Sequence, residues 1–251
     1  MIIRVSLLAA IVASLTFSPI PAYNHLKLVS ASDVDVASVQ PIELASAADS
    51  LRSTSSFYSF RRDVRRCAAP RCGGYFIRLV NQSRTRCADN RFQRECYVAS
   101  IEWGGQTQPN DPGLLRGSMR LHRRSLFGVF RVSEVWQAAS ANQPTGTFYR
   151  VRDRGVRCIT HPCETHHEAT LNSTASRNIA GVDLAGAGAA ENLLSDATAA
   201  MNSPDGILVS GFHAPVSGPG GRSRTLKATQ FYLRAKSAVN VGGGDRNRTD
   251  E

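Results

Sequence analysis

With 251 residues, 42% of them apolar, the chain can bury one or two cores, which excludes a wholly disordered protein. A net charge of +10 excludes an acidic chain and favours anionic partners: nucleic acid, anionic membrane, acidic polysaccharide or acidic protein. Lys27, Lys227 and Lys236 are the only lysines, and the arginines are spread along the chain, so a GC-rich genome explains the bias more simply than selection for planar anion recognition.

The N-terminus sets the compartment. Arg4 forms a short positive region, Val5 to Phe17 is an uncharged and mostly apolar run, and Ser18-Pro19-Ile20-Pro21-Ala22 ends it with helix breakers and a small residue. This is the shape of a secretory signal peptide over residues 1–22, and export to the periplasm or beyond is expected. The run is shorter than the roughly 20 residues that span a bilayer. No second long apolar segment follows, so a soluble mature protein without a membrane span is expected. Residues 23–56 read as a flexible spacer, rich in Ala and Ser. Its acids (Asp33, Asp35, Glu43, Asp49) precede a strongly basic stretch, over which a folded-back leader would fit.

An internal repeat organises the rest. Phe57 to Asn81 returns as Phe148 to Asn172, 91 positions later, with Phe57/Phe148, Tyr58/Tyr149, Arg61/Arg152, Arg66/Arg157, Cys67/Cys158, Cys72/Cys163 and Asn81/Asn172 coinciding without a gap. Such agreement predicts a tandem duplication, over residues 57–139 and 146–234. In the first copy, aromatic and β-branched runs predict strands at Phe57 to Arg62, Tyr75 to Val80, Cys96 to Trp103, Gly117 to His122 and Val129 to Trp136, with Gly128 as a break. In the second, strands are expected at Phe148 to Arg152, Ala169 to Leu171, Gly206 to Gly211 and Leu226 to Arg234. The turn sequences Pro109 to Gly113 and Ser217 to Gly221 separate neighbours. One helix is predicted, Ala189 to Met201, with Leu193, Leu194, Ala197 and Met201 on one face. It falls between the second and third expected strands of the second copy, where the first copy has the Cys87 to Cys96 loop. The expected fold is mainly β: two tandem, disulfide-stapled modules, each a small OB-like barrel or a sandwich. Residues 235–251 read as a disordered tail.

Arg61-Arg62-Asp63 with Cys67, Pro70, Cys72-Gly73-Gly74-Tyr75-Phe76 and Val80-Asn81, then Cys96-Tyr97-Val98-Ala99, Arg157-Cys158-Ile159, Pro162-Cys163, Leu171-Asn172 and Gln230-Phe231-Tyr232-Leu233-Arg234, resemble a family of secreted bacterial proteins, the domain of unknown function DUF6748. The resemblance covers roughly Phe57 to Arg234 and implies a bacterial exported setting. It brings no catalytic residues.

Six cysteines in an exported chain read as disulfides. The duplication selects Cys67–Cys72 and Cys158–Cys163 and leaves Cys87–Cys96. Cys158, His161, Cys163, His166 and His167 are zinc-capable, but the first copy lacks the histidines and an oxidising compartment consumes the thiolates, so no metal or cofactor is expected. The C-x4-C spacing in strand and turn does not match a C-x-x-C redox motif.

No residues combine persuasively into a catalytic site. Ser210 and His213 lack the rest of a nucleophile motif, and Glu102 and Glu134 have no evident acid partner. Asn81 and Asn172 begin glycosylation-type triplets, as does Asn247, and the first two are expected to close turns. The distinctive feature is arginine around the first cysteine loop (Arg61, Arg62, Arg65, Arg66, Arg71), answered by Arg150, Arg152, Arg154 and Arg157 in the second copy. A solvated basic edge that discourages aggregation is the plainer reading. The functional reading is an anion-binding face, repeated for avidity. The expected function is therefore an exported, non-catalytic binding protein for an anionic polysaccharide, an envelope surface or an acidic protein, with no nucleic acid expected. The alternatives are a hydrolase inhibitor presenting a pinned loop around Pro70 or Pro162, and an enzyme whose pocket the sequence does not reveal.

Overall fold

The structure is a computed structural model that describes residues 56–121 and 127–235. The expected signal peptide, the spacer to residue 55, His122, Asn247 and the tail from residue 236 lie outside the described residues. The described chain is mainly β, with one large, largely antiparallel sheet, one α-helix and three disulfides.

The first half runs β1 (Ser56–Arg62), β2 (Tyr75–Leu79), the two-residue strands β3 (Thr85–Arg86) and β4 (Phe92–Gln93), β5 (Cys96–Glu102), β6 (Leu114–Leu121) and β7 (Gly128–Ala138). β1 pairs with β2 and β6, β2 pairs with β5, and β7 pairs antiparallel with β6 and parallel with β5. β3 and β4 form a separate ribbon. The second half runs β8 (Thr147–Asp153), β9 (His166–Thr170), β10 (Ser176–Ile179), β11 (Gly181–Asp183), a 3-10 turn (Ala185–Ala187), α1 (Glu191–Met201), β12 (Ile207–Gly218) and β13 (Gly221–Arg234). β8 pairs with β9 and β12, β9 with β10, and β13 pairs antiparallel with β12 and parallel with β11. β13 also pairs with β7 through Tyr232–Ala138, Leu233–Gln137 and Arg234–Trp136, so one sheet order passes through both halves.

Period-two alternation sorts the side chains. Tyr58 of β1 points into a core with Ile77, Val98, Leu115, Phe130 and Val135. Tyr149, Val151, Ile207, Val209, Leu226 and Phe231 form the corresponding core of the second half, which α1 covers with buried Ala197 and Met201. Phe57, on the other face of β1, joins a third core at the seam with Val80, Leu114, Trp136, Leu171, Leu208 and Tyr232. Both faces of β1 are therefore buried, which explains aromatics at consecutive positions.

Asn81 and Asn172 lock the seam reciprocally. Both take left-handed backbone, φ 60° and 58°, closing the turn after β2 and β9 as expected. The Asn81 amide donates to the carbonyls of Phe148 (2.7 Å) and Leu171 (3.0 Å) and accepts from the Phe148 N–H (2.8 Å). The Asn172 amide donates to Phe57 (2.8 Å) and Val80 (3.0 Å) and accepts from the Phe57 N–H (2.9 Å).

Several element boundaries correct the sequence reading. Gly128 begins β7 rather than breaking it, because a Cβ there would lie 3.1 Å from Ala88 and 3.2 Å from Val98. β9 starts at His166, and Leu171 follows it. β12 and β13 extend to Gly218 and Gly221 as one long hairpin. β10 and β11, too short to carry a pattern, stand between β9 and α1, so the helix does not directly follow the second strand. Among the described residues no helix is long and apolar enough to cross a membrane.

Candidate anion-binding site

The arginine-rich loop of the first half is organised by the outward face of β1, β2 and β5. Register places Arg61 opposite Phe76 and Phe76 opposite Tyr97, so one row crosses three strands. The Arg61 guanidinium lies 4.1 Å from the Phe76 ring centre, and that of Arg65 lies 5.1 Å from Phe76 and 5.5 Å from Tyr97. Two of the candidate cations are committed internally. Arg61 forms a two-pronged pair with Glu95 (2.6 and 3.2 Å), which raises its pKa. Arg65 donates Nε and Nη2 to the buried carboxylate of Asp63 (2.9 and 3.0 Å), which also accepts the Arg65 backbone N–H. The Arg65 hydrogen bonds hold the Asp63 carboxyl below the usual carboxylate range. Arg62, Arg66 and Arg71 are exposed and have no carboxylate partner among the described residues.

The bridge Cys67–Cys72 closes this loop, with Cα atoms 5.5 Å apart. Tyr97 Oη braces it from below, donating to the Pro70 carbonyl (2.8 Å) and accepting from the Gly74 N–H (3.3 Å). Only glycine fits at Gly74, where a Cβ would sit 2.1 Å from the Val98 carbonyl oxygen. Beside the loop runs a groove of about 850 Å³. Ser59, Arg61, Phe76 and Arg78 line it, as do Asp111–Leu114 and the connecting segment Gln143–Gly146.

The second half repeats the frame with a different tip. Asp153 accepts two hydrogen bonds from Arg157 (both 3.0 Å) and one from the Gly155 N–H; the Arg157 bonds are the main cause of its lowered pKa. Cys158–Cys163 closes the loop, with Cα atoms 5.7 Å apart. Its His161 carbonyl accepts from the Gly220 N–H at the tip of the β12–β13 hairpin (2.9 Å). Arg152 donates to the Pro204 carbonyl (3.4 Å), and Arg154 to that of Glu164. Arg150 stands apart from the loop, at the seam.

The third bridge is Cys87–Cys96, so all six cysteines pair as expected from the sequence and none is free. Cys158 and Cys163 therefore present no thiolates. His161 is exposed, while His166 shares a hydrogen bond with Thr165 (2.8 Å) and burial lowers its pKa. His167 is half-buried on β9. Among the described residues no cluster of three or more His, Cys, Asp or Glu has a metal-binding arrangement.

Ser210 is buried and bonded to Thr229 (3.0 Å), whereas His213 binds the buried Glu168 (2.9 Å). The two halves of the weak nucleophile motif thus have different partners. Glu102 and Glu134 do have partners, and these are arginines. Glu102 pairs with Arg120; Glu134 accepts from Arg116 (2.8 Å) and from Trp136 Nε1 (3.1 Å). Sequence reasoning missed the organising roles of Asp63, Phe76, Tyr97 and Glu95. The signal for Asp63 was present, since an acid inside an arginine run is a natural clamp.

No curated protein and no solved structure matches this chain. The family model for a domain of unknown function, DUF6748, matches residues 56–238, and the chain belongs to that family.

Proposed function

We propose that the chain is an exported, non-catalytic binding protein, built from two duplicated OB-like modules, that recognises an anionic polymer through the loop between β1 and β2. The observation that carries this reading is the exposed pair Arg66 and Arg71 at a disulfide-closed loop, with exposed Arg62 at the end of β1, near the Arg61–Phe76–Tyr97 row and its groove. Three further facts support it. Strand pairing in the first half returns to its start, β1–β2–β5–β7–β6–β1, with the parallel β5–β7 contact expected of a five-stranded barrel. The second half has the same order if β10 and β11 count as one broken strand, and α1 then falls between its third and fourth strands. In OB-folds the second and third strands and the loop entering the second are the binding face for oligosaccharides and oligonucleotides. Three disulfides accord with an oxidising compartment outside the cytoplasm.

Acidic polysaccharide is favoured over nucleic acid because the outward aromatics Phe76 and Tyr97 are already covered by Arg61 and Arg65, leaving few open faces for bases to stack on. The test is retention on polygalacturonate and heparin matrices across a salt gradient. Salt-sensitive retention is expected, with early elution after Arg62→Ala, Arg66→Ala and Arg71→Ala are combined. Absent or salt-independent retention overturns the reading, and stronger binding to single-stranded DNA overturns the partner class.

A second reading, inhibition of a secreted hydrolase, is favoured by Ile159, an apolar side chain fully exposed on the loop closed by Cys158–Cys163. Micromolar protein that slows no member of a protease panel removes it.

A further inference from the structure

The seam between the halves carries a second and separate concentration of charge. Arg116 of β6, Arg150 of β8 and Arg234 of β13 converge on Glu134 of β7, at 2.8, 3.9 and 3.8 Å. Arg234 also pairs with Asp205 (2.6 Å). Three guanidinium groups thus meet two carboxylates.

Arg150 is the anomalous member. Its side chain is only 26% exposed, and its guanidinium lies 5.4 Å from the Phe57 ring centre and 5.7 Å from that of Trp136. Among the described residues it donates no hydrogen bond, and its nearest carboxylate, at 3.9 Å, already accepts from Arg116 and Trp136. A half-buried guanidinium that no carboxylate satisfies by a hydrogen bond, yet whose donors still reach solvent, is a natural partner for an anion.

Register isolates what is special here. Leu114 faces Ser59 and Trp136, while Leu208 faces Arg150 and Tyr232; Arg116 faces Glu134, while Ser210 faces Gln230. Under the proposed duplication, Ser59, Ser210 and Gln230 are the counterparts of Arg150, Arg116 and Glu134. On that neutral side Gln230 donates to the carbonyls of Ser140 and Asn142 (both 2.9 Å), so the segment connecting the halves covers it. On the charged side three arginines stand instead.

We propose that Arg150, with Arg116 and Arg234, forms a binding site for a small oxoanion: sulfate, phosphate, or the same group carried on a sugar. An oxoanion offers several acceptor oxygens to a planar guanidinium, which the crowded Glu134 does not. The site is separate from the loop between β1 and β2.

Isothermal titration with sodium sulfate and sodium phosphate, against sodium chloride at matched ionic strength, tests it. Saturable binding is expected in the wild type. Arg150→Gln should weaken it by about tenfold or more through loss of one charge-assisted partner. Glu134→Gln should tighten it severalfold by removing the competing carboxylate, a gain that a misfolded variant does not give. Arg222→Gln, at an exposed arginine near the tip of the β12–β13 hairpin, should bind as the wild type does, which separates loss at Arg150 from loss of one surface charge. A sulfated disaccharide that binds more tightly than free sulfate identifies the sugar-borne source, and equal affinity identifies the free ion. No saturable heat beyond chloride overturns the proposal, and equal binding by the wild type and Arg150→Gln means an adventitious ion only.

Discussion

Asp63 and Asp153 do similar work in the two halves. Each ends or follows its first strand, is largely withdrawn from solvent, and clamps an arginine of its own disulfide loop. Arginine hydrogen bonds lower both carboxyl pKa values in the folded state. The unfolded chain then holds protons more tightly at these positions, so stability rises with pH wherever they titrate. The contribution is complete above the ordinary carboxylate pKa of about 4 and is lost as pH falls through the lower folded values. Asp63→Asn is therefore expected to lower the midpoint of urea unfolding at pH 7 and to flatten its decline toward pH 2. A decline as steep as that of the wild type shows that Asp63 contributes nothing to acid sensitivity.

At the scale of elements, the two disulfide loops share a frame and differ in what supports them. The first rests on Tyr97 and Gly74, inside its own half's sheet. The second is held by the tip of the β12–β13 hairpin, through Gly220 and the close approach of Gly218 to the His161 carbonyl. Opening the second bridge with Cys158→Ser and Cys163→Ser is expected to cost about 2 kcal/mol, the loop-closure value for so short a ring. It should also speed hydrogen exchange at the Gly220 N–H while leaving Tyr97 and Gly74 unchanged. Faster exchange around Gly74 instead places the coupling elsewhere. These loops mark how far sequence could be read. The C-x4-C repeat was enough to pair the cysteines, and the spacing of Leu193, Leu194, Ala197 and Met201 was enough to place the buried face of α1. The ion pairs between distant strands were not legible, because Arg61–Glu95 and Arg116–Glu134 depend on strand register, which β-bulges and two-residue strands shift without any periodic trace. For the same reason the linear reading ranked Arg61, Arg65 and Arg150 together as anion-binding candidates, although Arg61 and Arg65 are already paired and only burial sets Arg150 apart.

At the scale of the molecule, the seam decides whether the halves fold separately. Phe57, Trp136 and Tyr232 belong to neither inner core and pack only where the halves meet. Phe57 meets Trp136 edge-on at 6.4 Å, and Phe148 meets Tyr232 at 6.3 Å. A half exposed alone would uncover these rings to water and leave the backbone groups of Phe57 or Phe148 without their asparagine partners. Unfolding should therefore be a single cooperative transition, with Trp136 fluorescence and far-ultraviolet circular dichroism changing together. The reciprocity of Asn81 and Asn172 sharpens this. Each amide satisfies three backbone groups of the opposite half, so Asn81→Ala and Asn172→Ala should destabilise by similar amounts, about 1–3 kcal/mol each. If both bonds serve one seam, the double variant should cost less than the sum, because the first loss already loosens what the second amide holds. Double-mutant urea titrations decide it. Strict additivity, or a wild-type protein that unfolds in two separated steps, means that the halves are joined domains, each stable through its own core.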